Sequence, residues 1–107
     1  MEANQEIIAI TEAIKSAVPA ERIYLFGSHA RGTPTENSDY DFFILISDDG
    51  MKPLDAMREA RFSMIPLKRK TPVDILADYK TRFEQRSKLN TFERIVANEG
   101  VVLYERA

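Results

Sequence analysis

Apolar residues along the chain follow two alternating patterns, one of helical period and one of short continuous runs. Residues 4–18 have near-helical apolar spacing, which predicts one amphipathic helix ending before Pro19. The run at residues 23–26, stopped by Gly27, predicts a short buried strand. The run at residues 40–46 is almost entirely apolar and aromatic, which predicts a central strand buried on both faces.

The second half of the chain continues the alternation. We predict a helix over residues 53–67, a strand over 73–77, one long polar helix over 80–98 and a final short strand over 101–104. Pro53 suits the first turn of its helix, and Gly100 is expected to stop the long one. The expected apolar stripe of the first of these helices is Leu54, Met57, Ala60, Met64 and Leu67. The expected apolar side of the second is Phe83, Leu89, Phe92, Ile95 and Val96. This order of elements predicts an α/β layer architecture.

Length and composition narrow the class of protein. The 107 residues predict a single small domain over 1–107, and an apolar share of 44% argues against a disordered chain. The net charge of -2 gives no overall attraction to nucleic acid or to an anionic membrane. No apolar run approaches the roughly 20 residues that span a bilayer. The start at residues 1–4 lacks the features of a signal peptide, so we expect a cytoplasmic protein. With no cysteine and one histidine, a metal site must be built from carboxylates, which favours magnesium or manganese.

Two aspartates lie at the start of the central apolar run, one just before residue 40 and one just after it. Asp39 and Asp41 are two residues apart, so in a strand their side chains point to one face, with Cα atoms roughly 6.5–7 Å apart. Two converging carboxylates repel each other unless a cation lies between them. The alternative is that Asp39 caps a turn and Asp41 is a solvated edge residue. The apolar run after Asp41 favours the first interpretation, because a charge there needs a partner to offset its desolvation.

A glycine–serine pair follows the first predicted strand. Gly27 permits a tight turn and the close approach of a phosphate. If a helical turn begins at Ser28, its free N–H groups and hydroxyl face the same anion, and Arg31 could add a charged contact. The alternative is an ordinary strand-to-helix turn with a capping serine. We interpret His29 as a partly exposed loop residue and not as a catalyst.

Asp74 is the third candidate carboxylate. It lies in the predicted strand at residues 73–77, with apolar residues on both sides. If this strand pairs beside the one at residues 40–46, Asp74 can reach the same metal or accept a proton from a hydroxyl group. The alternative is an edge-strand aspartate that faces water, and local sequence does not decide between them.

Taken together, these segments resemble a known family. Gly27-Ser28, ten intervening residues and Asp39-Tyr40-Asp41 are similar to the motif of the DNA polymerase beta nucleotidyltransferase superfamily. The stretches Gly27–Gly32 and Asn37–Asp41 resemble its minimal nucleotidyltransferase branch, and the resemblance covers essentially the whole chain. It implies the nucleotidyltransferase fold, a mixed β-sheet packed with helices.

The resemblance also implies an activity and a partner. The activity is transfer of a nucleoside monophosphate, with AMP from ATP as the expected case, to a hydroxyl acceptor. Asp39, Asp41 and Asp74 would hold Mg²⁺ or Mn²⁺ and act in catalysis, while Gly27, Ser28 and Arg31 would bind the nucleotide. Minimal members often pair with a small helical protein called HEPN, as antitoxin and toxin. The alternative is a binding module that neutralises a helical partner without catalysis. The chain is too short and too weakly basic for a templated polymerase, and Lys68–Lys70 is interpreted as a solvated connection.

Overall fold

A computed structural model describes residues 4–107, so the interpretation of the N-terminal residues 1–3 lies outside the described part of the chain. The helices are α1 (Gln5–Ala17), α2 (Gly27–Arg31), α3 (Pro53–Ser63), α4 (Lys80–Ser87) and α5 (Phe92–Glu99). The strands are β1 (Ala20–Phe26), β2 (Tyr40–Ile46), β3 (Val73–Tyr79) and β4 (Val101–Glu105). Within the described residues, no helix combines the length and the apolar character needed to cross a membrane.

The four strands form one mixed sheet in the order β3-β2-β1-β4. β1 runs antiparallel to both β2 and β4, whereas β2 and β3 are parallel and are joined through α3. The predicted α/β architecture and the internal position of β2 are confirmed. Phe42, Ile44 and Ile46 point to one face of β2, and Phe43 and Leu45 point to the other; all five are buried. An uninterrupted apolar run is the pattern that burial on both faces requires.

Each face of the sheet has its own apolar cluster. The larger cluster joins α1 and α3 to one face and includes Ile10, Ile23 and Phe42. The smaller joins α4 and α5 to the other face and includes Tyr24, Phe43 and Phe83. The Phe83 ring packs 5.2 Å from that of Phe43 and 5.5 Å from that of Tyr24, measured between centroids.

The predicted apolar stripe of α3 is wrong in part, and the helix is shorter than expected. α3 ends at Ser63, and its buried residues are Ala56 and Ala60, with Met64 just beyond. This i, i+4, i+8 row of mostly small side chains lets the helix lie close to the sheet. Leu54, expected in the core, is 77% exposed because it lies off that row.

The single long helix predicted over 80–98 is also wrong, because it is two helices separated by residues 88–91. The Thr91 side chain accepts a hydrogen bond from the Arg94 N–H and donates one to the Arg86 carbonyl, so it starts a new helix where the old one stops. Arg86 donates to Glu93 across the break at 2.5 Å. Burial acts to raise the pKa of Glu93, but hydrogen bonds from Arg86 and the backbone outweigh it and lower the pKa. The break leaves Leu89, Phe92 and Ile95 exposed, contrary to prediction, while Phe83 and Val96 are buried as expected.

Gly100 stops α5 as predicted, for a different reason than a left-handed cap. Its φ is -70°, which any residue adopts. A Cβ at this position would lie 2.4 Å from the Val96 carbonyl oxygen and 3.0 Å from the Tyr24 ring. The carbonyl oxygen of α5 itself, and next to it the close packing against β1, therefore leave no room for a side chain here.

Candidate functional site

The three candidate carboxylates lie at one end of two neighbouring strands. Asp41 is the second residue of β2 and stands directly opposite Asp74 in the parallel register with β3. Facing residues in adjacent strands are about 4.8 Å apart in the backbone and point to the same face. Asp39 comes two residues before Asp41, just outside β2. Asp74 is exposed, and the other two are half-buried.

Electrostatics show that these carboxylates act on one another. The pKa of Asp41 is raised, first by burial and then by the negative charges of Asp74 and Asp39. Positive charge on His29, when that ring is protonated, and on Arg31 opposes the shift without cancelling it. The site therefore holds an excess of negative charge, which a cation would relieve.

Gly27 brings backbone directly against the Asp41 carboxylate. It follows Phe26, which is the register partner of Asp41 across the β1–β2 pair. The φ of Gly27 is +75°, and a Cβ built there would lie 2.3 Å from Asp41 Oδ2. Both the left-handed backbone and the missing side chain are thus needed for the chain to turn beside this carboxylate.

The short helix α2 begins at that turn. Its first turn has no side-chain cap, so N–H groups around Ser28 are open to an outside acceptor. Gly32 ends α2 with a φ of +76°. Arg31, in the last turn, forms an ion pair with Glu99 at the end of α5, with 3.7 Å between Nη1 and Oε2. Both side chains are about half exposed, so the pair can open at little cost.

His29 lies in α2 and not in a loop, although it is partly exposed as expected. Its Nε2 donates a hydrogen bond to the Ser38 carbonyl oxygen at 3.3 Å, and its ring centroid is 4.5 Å from that of Tyr40. It thereby ties α2 to the residue just before Asp39. We assign it a positioning role in fixing the start of β2.

Glu6 is a second positioning residue that the sequence did not reveal. Its Oε1 accepts a hydrogen bond from the Tyr40 hydroxyl at 3.0 Å, and its Oε2 accepts from the Lys70 N–H at 2.8 Å. These hydrogen bonds, with that to Lys70 the stronger influence, lower the pKa of Glu6. One carboxylate on α1 therefore ties together the segments that enter β2 and β3, the two strands that carry Asp41 and Asp74.

The available donors fit a hard divalent cation that is shared with a ligand. Asp39, Asp41 and Asp74 offer carboxylate oxygens, which magnesium and manganese prefer. Among residues 4–107, no three acidic, histidine or cysteine side chains converge closely enough to hold an ion alone. An ion at Asp41 would take its remaining ligands from water or phosphate oxygens, as magnesium usually does.

Comparison with known proteins gives a family match over most of the chain. Residues 7–103 match the family model described as the nucleotidyltransferase domain. No curated protein is significantly similar to the chain in sequence.

Solved structures with the same architecture include three informative ones. A Sulfolobus solfataricus structure described as a nucleotidyltransferase is 21% identical over 98% of this chain and 91% of its own, with a TM-score of 0.61. A toxin–antitoxin structure with AMP-PNP is 21% identical over 92% of this chain and 73% of its own, with a TM-score of 0.58. A structure of a mutant of the toxin–antitoxin pair MntA–HpeT, with two aspartates changed to glutamate, is 22% identical over 97% of this chain and 75% of its own, with a TM-score of 0.63. At these identities the likeness concerns the fold alone, and it confirms the predicted nucleotidyltransferase fold.

Proposed function

The chain belongs to the nucleotidyltransferase domain family, and we propose that residues 1–107 form one catalytic domain that transfers a nucleoside monophosphate from a triphosphate to a hydroxyl group. The proposed donor is ATP, and pyrophosphate is the leaving group. The proposed location of the reaction is the cytoplasm. The observation that carries this proposal is the meeting of Asp41 with Asp74 in register, beside a glycine whose backbone touches the Asp41 carboxylate.

The candidate residues divide the tasks of metal binding, phosphate binding and proton transfer in the proposed reaction. Asp39, Asp41 and Asp74 would hold Mg²⁺ or Mn²⁺, which when bound neutralises charge on the phosphoryl and leaving oxygens. Gly27 and Ser28 bind the triphosphate through backbone N–H groups and the serine hydroxyl. Arg31 exchanges its ion pair with Glu99 for a stronger contact to phosphate. Asp74, exposed at the edge strand, accepts the proton of the attacking hydroxyl group.

Incubation with ATP labelled in its α-phosphate tests the activity. With magnesium and a protein extract from the native host, we expect the label to move to an acceptor and unlabelled pyrophosphate to be released. Omitting magnesium and adding EDTA should stop the transfer. Hydrolysis to free AMP with no labelled acceptor, or transfer that continues in EDTA, would contradict the proposal.

A protein partner is the second part of the proposal, and it covers the alternative of a non-catalytic binding module. Two of the similar structures are toxin–antitoxin assemblies, which supports a toxin as the partner. We propose a small helical partner of the HEPN type, neutralised by modification or by binding.

An exposed apolar surface on and after α3 supports such a partner. We call Leu54, Met57, Phe62 and Ile65 the α3 surface; they line one open groove with Arg58 and Arg61. Phe62 is 58% exposed and Ile65 is 72% exposed, which is unusual for neighbouring large apolar side chains. Residues 52–70 hold six basic and two acidic side chains, although the whole chain has a net charge of -2. Acidic flanks on the partner segment would match this local charge.

Ile65→Asp is the variant that tests this surface. If the native partner binds the α3 surface, the aspartate should weaken the complex by about tenfold or more, because it places a charge in an apolar contact. Val102→Asp is the matched control, since Val102 is also an exposed apolar residue but lies on β4, away from α3. Titration of both variants and the wild type with the purified partner measures the effect. Equal weakening by the two variants would exclude the α3 surface as the interface.

A further inference from the structure

We propose that Phe92 and Leu76 form a stacking site for the nucleobase of the triphosphate. This inference rests on the proposed function and adds the subsite that distinguishes a nucleotide from inorganic polyphosphate. The two side chains are called the base shelf below. The ligand class is a purine or pyrimidine ring, and purines have the larger face to stack.

The base shelf lies one aromatic ring away from the candidate carboxylates. Phe26 stands opposite Asp41 across the antiparallel β1–β2 pair, so their side chains are neighbours on one face. The Phe92 ring centroid is 5.4 Å from that of Phe26 and 6.4 Å from that of Phe43, which follows Asp41 by two residues. Phe92 therefore covers the face of the sheet that carries Asp41, with the Phe26 ring between the two residues.

Leu76 completes the shelf from the other side of Phe43. It is the register partner of Phe43 on β3 and follows Asp74 by two residues, so it points to the same face as Asp74. Leu76 is 38% exposed and Phe92 is 45% exposed, whereas Phe43 between the strands is buried. Two accessible apolar side chains thus border the acidic end of the sheet.

Phe92 has aromatic neighbours that restrict its ring on one side. It is the first residue of α5, directly after the capping Thr91. Its ring meets Phe26 edge to face, with an angle of 81° between the ring planes. A side chain fixed by its neighbours in this way loses little freedom when a base stacks on it.

The helix α5 also relates the shelf to the phosphate-binding residues. Glu99, at its other end, pairs with Arg31, the proposed phosphate contact. Phe92 and Glu99 are seven residues apart, which is about 10 Å along a helix axis. One helix therefore carries the proposed base contact at its start and faces the proposed phosphate contact at its end.

Calorimetric titration with two ligands separates base recognition from phosphate recognition. The ligands are magnesium-ATP and magnesium-tripolyphosphate, which share the phosphate chain but differ in the nucleoside. We expect Phe92→Ala to weaken ATP binding by about tenfold, the usual effect of removing a stacked aromatic, and to leave tripolyphosphate binding unchanged. Ile8→Ala, at an apolar residue that is as exposed as Phe92 but lies on α1, which packs on the opposite face of the sheet, should change neither. Arg31→Ala should weaken both.

Each other pattern overturns the proposal in a recognisable way. Equal loss for ATP and tripolyphosphate in Phe92→Ala would mean that the residue acts on the phosphates or on the fold. Unchanged ATP affinity with slower transfer would assign Phe92 to the acceptor. If the wild type binds neither ligand, the proposed function itself fails. Phe92→Leu guards against unfolding, since it keeps apolar packing but lacks a flat ring; it should melt like the wild type and still lose ATP affinity.

Discussion

Asp41→Asn is expected to abolish nucleotidyl transfer while the metal-free protein melts at the same or a higher temperature. Loss of a metal ligand removes several kcal/mol of transition-state stabilisation, which corresponds to a rate decrease on the order of a thousandfold or more. The amide is nearly isosteric with the carboxylate, so packing against Gly27 is kept. Asp39→Asn should behave in the same way.

The stability part of this expectation follows from the raised pKa of Asp41, which burial, Asp74 and Asp39 cause. A carboxyl group whose pKa is raised by folding contributes stability that is fully present only below its ordinary pKa, near 3.8. That stabilisation is lost as the pH rises through the folded-state pKa, so at neutral pH the ionised group opposes folding. Asp41→Asn should therefore gain stability over the wild type at pH 7 in EDTA, and the gain should shrink toward pH 4.

Melting curves at both pH values measure this difference. Asp48→Asn is the matched control, because Asp48 is exposed in the turn that follows β2, at the opposite end of the strand from Asp41. It should change neither stability nor transfer. A metal-free Asp41→Asn protein that melts several degrees below the wild type at pH 7 would show that the carboxylate has a structural partner instead.

Gly27→Ala should combine a large loss of stability with loss of nucleotide binding. An alanine at a φ of +75° costs roughly 1–2 kcal/mol by itself. Its Cβ would also lie 2.3 Å from Asp41 Oδ2, so the carboxylate must move out of place. We expect a total destabilisation of about 3 kcal/mol, which lowers the melting temperature by roughly 13 °C for a chain of this size.

Gly32→Ala separates the two causes. Gly32 has almost the same backbone conformation, with a φ of +76°, but a Cβ there would meet nothing within 4 Å. It should lose only the backbone part of the stability, about 1–2 kcal/mol, and keep magnesium-dependent ATP binding. If both variants lose the same stability and both bind ATP, contact between Gly27 and Asp41 has no role in the site.

The strands of the fold were predictable because their pattern is local. The apolar run at 40–46 had to be buried on both faces, and it forms the internal strand β2. The helices were less predictable, because several faces of an amphipathic segment can be buried. Apolar periodicity alone could not show that α3 buries the face with Ala56 and Ala60 and not the face with Leu54, because contact with the sheet determines which face is buried. Nor could periodicity find the break at Thr91, which depends on one side chain that bonds to both helices.

In the candidate site too, some features follow from local sequence and others only from the three-dimensional structure. Spacing alone put Asp39 and Asp41 on one face, and it raised the question of whether Asp74 reaches them. Only the register of β2 with β3 answers that, since a shift by one residue would turn Asp74 away. The contacts made by Glu6, His29 and Glu99 join residues far apart in the sequence, so no local pattern indicates them. The roles of the carboxylates stay predictions.

Metal-dependent binding of the triphosphate is the central claim, and calorimetry with ATP tests it most directly. In magnesium, the wild type should bind ATP at one site, and in EDTA the heat of binding should nearly vanish. Asp41→Asn should give little heat in either condition, and Asp48→Asn should match the wild type. Equal heats for the wild type with magnesium and with EDTA, or full binding by Asp41→Asn, would contradict a site in which these aspartates hold the metal that holds the nucleotide.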